Sequence, residues 1–296
     1  MVKPDKKLIY PLFIPMQGCS GTCVYCDQRK ISGAAEFDLQ RAKAELKLFI
    51  RHNSGKSKEV AFYGGTFTAL EPQIQKQYLL AVSELLEQTD SIRISTHPLH
   101  TEDSTLSLLK EHRVKTIEVG IQDFADSVLQ QSGRAYTGKM ALNAAQRVRD
   151  WGFQLGLQLM PGLPGSNMDT LHITQQTLLA LAPEIMRLYP AVVIRGTRLE
   201  KMYEEGSFLP LSIPEAVRIC ADYSELCARH GIRIIKYGLP SNLEPQDFVA
   251  GPYHPAFGEL VKQEILRREI VGNPEKRDRL QPREIQLLRA HGGVNY

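Results

Sequence analysis

Short apolar runs rich in β-branched and aromatic residues alternate with longer stretches of helical period along most of this chain, and that alternation restricts the fold most. The runs are YPLFIPM, EVAFYGG, SIRISTH, VKTIEVGI, QLGLQLMP, IMRLYPAVVI and IRIIKYG. Their composition predicts strands. Between them, DLQRAKAELKLFIRH, EPQIQKQYLLAVSELLEQ and KMALNAAQRVRDWG carry the apolar spacing of helices, the last stopped by Gly152 in a C-terminal capping position. Successive βα units of this kind predict a parallel sheet with right-handed crossovers, and six or seven of them favour a full or partial barrel over an open sheet. Either way, chemistry is expected at the carboxyl ends of the strands. After about residue 240 the alternation stops, and SNLEPQDFVAGPYHPAFGEL, rich in Pro and Gly, reads as an irregular lid or tail. We therefore expect a barrel over residues 1–240 and an extension over 241–296.

The opening MVKPDKKLIYPLF is interrupted by Pro4 and Pro11 and leads into no sustained apolar run, so it fits neither a signal peptide nor a membrane span. The chain is expected to be cytoplasmic, with no membrane partner. Its five cysteines, an odd number without an export signal, read as reduced thiols. A formal net charge of +3 excludes a strong nucleic-acid field over the whole chain. Locally, Arg277, Arg279, Arg283 and Arg289 gather near the C-terminus, where a solvated face is favoured over an RNA contact.

Cys19, Cys23 and Cys26 fall in GCSGTCVYC, directly after the first expected strand. A loop at the sheet's carboxyl edge would hold three thiols together there, as a metal site requires. Zinc and ordinary buried cysteines compete with that reading, but zinc normally takes four protein ligands and no second cysteine pair lies nearby. Cys220 and Cys227 lie in SIPEAVRICADYSELCARHG, an expected helix opened by a Ser212–Glu215 capping box. With Ile213 and Val217 they share one apolar face, so they read as core. Three thiolates suit an iron–sulfur cubane with one iron left without a protein ligand.

The spacing Cys-x3-Cys-x2-Cys, with Tyr25 before the last cysteine, resembles the signature of the radical S-adenosylmethionine (SAM) superfamily. Over roughly residues 8 to 200 the chain is similar to the radical SAM part of the elongator catalytic subunit, with further likeness to oxygen-independent coproporphyrinogen oxidases. The resemblance implies an α/β fold, a partial (β/α)6-type TIM-like barrel, with a [4Fe–4S] cluster on Cys19, Cys23 and Cys26. It implies that SAM is bound at the open iron and reductively cleaved to a 5′-deoxyadenosyl radical, which abstracts hydrogen from a substrate. An electron donor such as a flavodoxin or ferredoxin is then a partner.

The same resemblance implies cofactor-binding roles for Tyr25, Gly64, Gly65, Thr66, Gln122, Arg134 and Gln158. Gly64, Gly65 and Thr66 match the glycine motif whose backbone meets the SAM amino group, Gln122 a ribose contact, and Arg134 a partner of the SAM carboxylate. Gln158 stands where aspartate is common. Ser95 is a plainer departure, because both families usually carry a glutamate there. His97 follows Ser95 and reads as structural. For Lys236, Tyr237, Tyr253 and His254, packing or surface exposure is the first expectation. No acetyltransferase domain is expected after the tail, so the carboxymethylation of tRNA by full elongator subunits is not carried over. RNA is the substrate class implied by the likeness. The alternative is a noncatalytic RNA-binding or scaffold protein that retains the cluster structurally.

Overall fold

The computed structural model describes residues 7–34 and 36–290; residues 1–6, which open the segment argued above against a leader or a span, lie outside it, as do residue 35 and residues 291–296. In chain order the elements are β1 (Leu8–Phe13), α1 (Gln28–Ser32), α2 (Leu39–His52), β2 (Lys58–Tyr63), α3 (Pro72–Ser83), β3 (Ser91–Thr96) and α4 (Asp103–Glu111). There follow β4 (Val114–Gln122), α5 (Asp126–Gln131), α6 (Gly138–Asp150), β5 (Gln154–Leu159), α7 (Met168–Leu181) and β6 (Ile185–Leu188). The chain ends with β7 (Val193–Ile194), α8 (Arg198–Glu204), α9 (Ile213–Arg229), β8 (Arg233–Tyr237), β9 (Phe248–Ala250), α10 (Phe257–Gly272) and α11 (Pro282–Arg289).

Seven strands pair in the order β1-β2-β3-β4-β5-β6-β8, every neighbour parallel, which is the curled, open half-barrel expected of a partial TIM-like fold. The strands alternate with period two. Val60, Phe62, Ile92, Ile94, Ile117, Val119, Leu155, Leu157, Met186 and Leu188 face the helices and form the main core with Leu46, Leu79, Leu106, Val148 and Leu178. The intervening set is polar: Glu59, Tyr63, Arg93, Ser95, Glu118, Gln158 and Arg187 bond to one another on the concave side. The apolar face thus supplies the hydrophobic stabilisation, and the concave face is left for chemistry.

Local signals account for most boundaries. Asp38 caps α2 by accepting from Arg41 N, and Gly152 takes the left-handed conformation (φ 73°) just beyond α6. Ser212 and Glu215 close the expected capping box on α9, and Cys220 and Cys227 are fully buried in the core. α3 stops at Ser83, short of the run expected to Gln88, because Leu85 and Leu86 turn in tight bonds to Val82 and Ser83.

Two expectations are corrected. IMRLYPAVVI is not one strand: β6 ends before Pro190, which has no N–H to give a ladder. The flanking donors at Tyr189 and Ala191 turn to Leu159 O and Pro161 O, and β7 pairs antiparallel with β9 instead. Apart from β9 the tail is irregular as far as residue 256; beyond it α10 buries Phe257, Val261, Leu266 and Ile270 at helical spacing and packs on α9. Arg277, Arg279, Arg283 and Arg289 are all exposed, as a solvated face requires. Among the described residues, no helix is long and apolar enough to cross a membrane.

Candidate active site

The loop after β1 carries the three cysteines and is sewn to its surroundings by main-chain bonds. Met16 N donates to Gly64 O and Thr66 N to Gln17 O, which ties the loop to the glycine motif after β2. Val24 N donates to Ser132 O and Leu199 N to Val24 O, which ties its far end to α5 and α8. Beneath it Val24 and Tyr25 pack into a second apolar cluster with Val128, Met160, Leu163 and Val193.

Gly65 is required by this packing. A Cβ there would lie 2.5 Å from Gln17 O and 2.7 Å from Ile14 O, closer than carbon and oxygen can approach. Gly64 instead uses its freedom at φ 85° to turn the chain. Thr66 Oγ1 stands 3.3 Å from Cys19 Sγ.

All three cysteines line one cavity of about 450 Å³ at the carboxyl ends of the strands, together with Tyr25, Gly64, Gly65, Thr66, Gln122, Arg134 and Gln158. Every residue singled out for the cofactors is therefore at this one place, which is of the size that takes a small molecule. His97 and Lys236, read as structural or packed, line it too; Tyr237 turns away to Ser224 Oγ (2.9 Å), and Tyr253 lies against Phe248 (centroids 5.7 Å).

Arg134 is the buried hub. Its Nη1 donates to Cys23 Sγ and to Tyr25 Oη, both at 3.1 Å, its Nε to Tyr136 Oη at 2.8 Å, and its Nη2 to Gly120 O. Burial opposes its charge, but Tyr25, Tyr136 and Cys23 outweigh this, so the guanidinium stays cationic. Burial pushes the Cys26 thiol up to about 12 and raises that of Cys19. A thiol in such surroundings ionises when a metal cation replaces its proton. His97 stands edge-on to Tyr136 (centroids 5.0 Å), and burial, Arg134 and His100 push its pKa down to about 3. The ring is neutral, its Nδ1 accepts from Leu99 N, and Nε2 therefore carries the proton.

The end of β4 is bent by a register shift between Gly120 and Gln122, and Gln122 is held at φ 67°. Non-glycine residues are rarely left there without a reason in the site. Its Oε1 is buried and, among the described residues, accepts no hydrogen bond. Gln158 Nε2 donates to Ser95 Oγ (3.2 Å) and Glu118 Oε2 (3.0 Å), which fixes the amide.

Sequence reasoning missed the polar network beneath. Glu118 accepts Arg93 Nη1 (2.7 Å), Arg187 Nε (2.7 Å) and Arg187 Nη2 (3.0 Å), while Arg93 Nε also donates to Glu59 (2.8 Å). Burial alone would raise the Glu118 carboxyl, but Arg187 and Arg93 prevail and hold it below the usual range. Ser95 is the register partner of Glu118, so the carboxylate missing from β3 is met by one on the adjacent strand, already paired with two guanidiniums. The signal was present: polar residues interspersed only with Ala61 and Gly120 at every second position of EVAFY, SIRIS and TIEVGIQ mark a polar concave face.

These features fit a cluster held by three thiols with SAM beside it. The donors are soft sulfurs with a cation at Cys23, the glycine at position 120 leaves room for Gln122 Nε2 (2.9 Å from a Cβ built there), and the buried Gln122 Oε1 has no partner among the described residues. Among the described residues, no three His, Cys, Asp or Glu groups surround a point where a single metal ion would sit.

Residues 13–178 match the family model of the radical SAM superfamily, and residues 183–267 that of the radical SAM C-terminal domain. The chain belongs to the radical SAM superfamily, a family of enzymes that use a [4Fe–4S] cluster and SAM. It is 26% identical over 254 residues to the tRNA uridine(34) acetyltransferase of Methanocaldococcus infernus, covering 78% of this chain and 46% of that protein. With the heme chaperone HemW of Bacillus subtilis it shares 26% over 202 residues, 66% of this chain and 53% of the other. The solved structure of the archaeal Methanocaldococcus infernus Elp3 with an N-terminal deletion has the same fold: TM-score 0.68 at 20% identity, over 88% of this chain and 63% of that one. The chain spans about half the length of the curated relatives it matches.

Proposed function

We propose that Cys19, Cys23 and Cys26 hold the cluster, that SAM lies across the strand ends from Gly64 to Gln158, and that the substrate is an RNA. The observation that carries the cofactor reading is the meeting of three thiols, Arg134 and the unpartnered Gln122 Oε1 in a single cavity. RNA is supported by the relatives that act on uridine 34 of tRNA. In this reading residues 1–240 are the catalytic body and 241–296 an extension.

When bound, the cluster and SAM supply an electron and a 5′-deoxyadenosyl radical able to take a hydrogen atom from an unactivated C–H. The chain's own residues position and shield. Arg134, whose Nε and Nη1 donors are taken by Tyr136, Cys23 and Tyr25, offsets the negative charge of the thiolates and keeps one N–H on Nη2 for a carboxylate. Gln122 presents an acceptor to a hydroxyl donor, and Gln158 presents its Oε1 because its Nε2 is already taken. His97, neutral, offers an N–H without adding charge, and Tyr25 and Met160 line an apolar wall that limits water.

The test is anaerobic reconstitution followed by dithionite and SAM, with 5′-deoxyadenosine measured. A well-loaded protein that forms none overturns the radical reading. Cys19→Ala, Cys23→Ala and Cys26→Ala should each lose the cluster, and unchanged iron in all three overturns the ligand assignment. Deuterium from labelled RNA should appear in 5′-deoxyadenosine; its absence, with SAM still cleaved, removes RNA as substrate.

A further inference from the structure

We propose that Lys236 seats an anionic group of the substrate, a carboxylate or a phosphate, at the side of the cavity opposite the cysteine loop. The inference rests on the cofactor reading above and specifies what the remaining space accepts. Lys236 is on β8, one edge of the sheet, whereas the cysteine loop follows β1 at the other edge. Both line the same cavity.

Arg187 is the register partner of Lys236 and is fully engaged: with Glu118, with Tyr63 Oη at 2.6 Å, and with Tyr189 Oη at 3.4 Å. Lys236 has no such partner; among the described residues no carboxylate, hydroxyl or carbonyl accepts from its ammonium. The charges around it show why this matters. Arg93 and Arg187 are matched by Glu59 and Glu118, two against two, so Lys236 leaves one positive charge uncompensated.

Burial and the neighbouring Arg187 both disfavour the charged amine. A half-buried cation beside another cation is an unfavourable arrangement unless an anion completes it. Val192, Ile194, Leu239 and Pro240 form the apolar wall nearby, which lowers the local dielectric and strengthens whatever pair forms. In the cofactor reading above Arg134, bonded to Cys23, is the cation on the SAM side of the cavity, so the anion met by Lys236 belongs to a second molecule.

The test uses the reconstituted holoprotein with SAM bound and follows lysine labelling by an N-hydroxysuccinimide ester, residue by residue, with mass spectrometry. Inorganic phosphate or acetate should slow labelling of Lys236 about tenfold relative to exposed Lys201 and Lys262. Protection by phosphate alone identifies a phosphate-bearing substrate, and by acetate alone a carboxylate-bearing one. Titration calorimetry with the protecting anion should show Lys236→Arg binding nearly as wild type and Lys236→Met about tenfold weaker. The proposal is overturned by protection from neither anion, by full protection from SAM alone, or by Lys236→Met binding as tightly as wild type. Formation of 5′-deoxyadenosine by the wild-type protein is scored in the same preparations, so failure of the seat is separable from failure of the cofactor reading.

Discussion

The imidazole of His97 is neutral in the folded protein down to a pH near 3, whereas an unhindered one takes its proton near 6.5. Between these values the unfolded chain binds a proton that the folded chain does not, so stability falls as pH drops through that window. Replacing His97 with Gln should flatten this slope, as measured by urea unfolding of the cluster-free protein from about pH 7 to about pH 4; a slope identical to wild type counts against a buried neutral ring. Gly65 makes an opposite kind of demand, steric rather than electrostatic. Gly65→Ala must push Gln17 O and Ile14 O away, at a cost of about 1–3 kcal/mol, and should lower both the melting temperature and the iron retained per chain. A variant that melts and loads as wild type would show that the cysteine loop moves freely against the glycine motif.

At the scale of elements, α9 shows how far local signals reach. Ser212 Oγ accepts from Glu215 N while Glu215 Oε2 accepts from Ser212 N at 2.8 Å, a reciprocal cap written in four consecutive residues. Ser212→Ala should cost about 1 kcal/mol in chemical denaturation and leave iron content alone. Cys220 and Cys227 sit on the buried face of the same helix, away from the cavity. Their Ala variants should lose about 1 kcal/mol each by the same measurement while loading a full cluster. Iron lost from either would make it a ligand. The break of IMRLYPAVVI into β6 and β7 belongs to this scale as well. One proline suffices to end β6, but whether the chain then rejoins the sheet or finds another partner depends on β9, far along the chain.

Across the whole molecule, Glu118 joins strands that are distant in sequence: Arg93 reaches it from β3, Gln158 from β5 and Arg187 from β6. Glu118→Gln leaves two buried guanidiniums without their shared counter-charge. Breaking such a pair costs about 3–5 kcal/mol, so thermal unfolding should shift down strongly and SAM affinity should fall as Gln158 loses its anchor. Unchanged stability and unchanged SAM binding would show the network to be incidental to the site. The alternation of strands and helices, the caps at Gly152 and Ser212–Glu215, the loop position of Cys19, Cys23 and Cys26 and the apolar face that carries Cys220 and Cys227 were legible in the amino-acid sequence, because each shows in residues a few positions apart. Only the folded chain decided that Gly65 is held by Ile14 and Gln17, that the carboxylate absent at Ser95 is met by Glu118, and that Lys236 has no partner among the described residues. Those outcomes depend on how adjacent strands register and how the sheet curls, which brings together side chains whose separation along the chain carries no trace of their meeting.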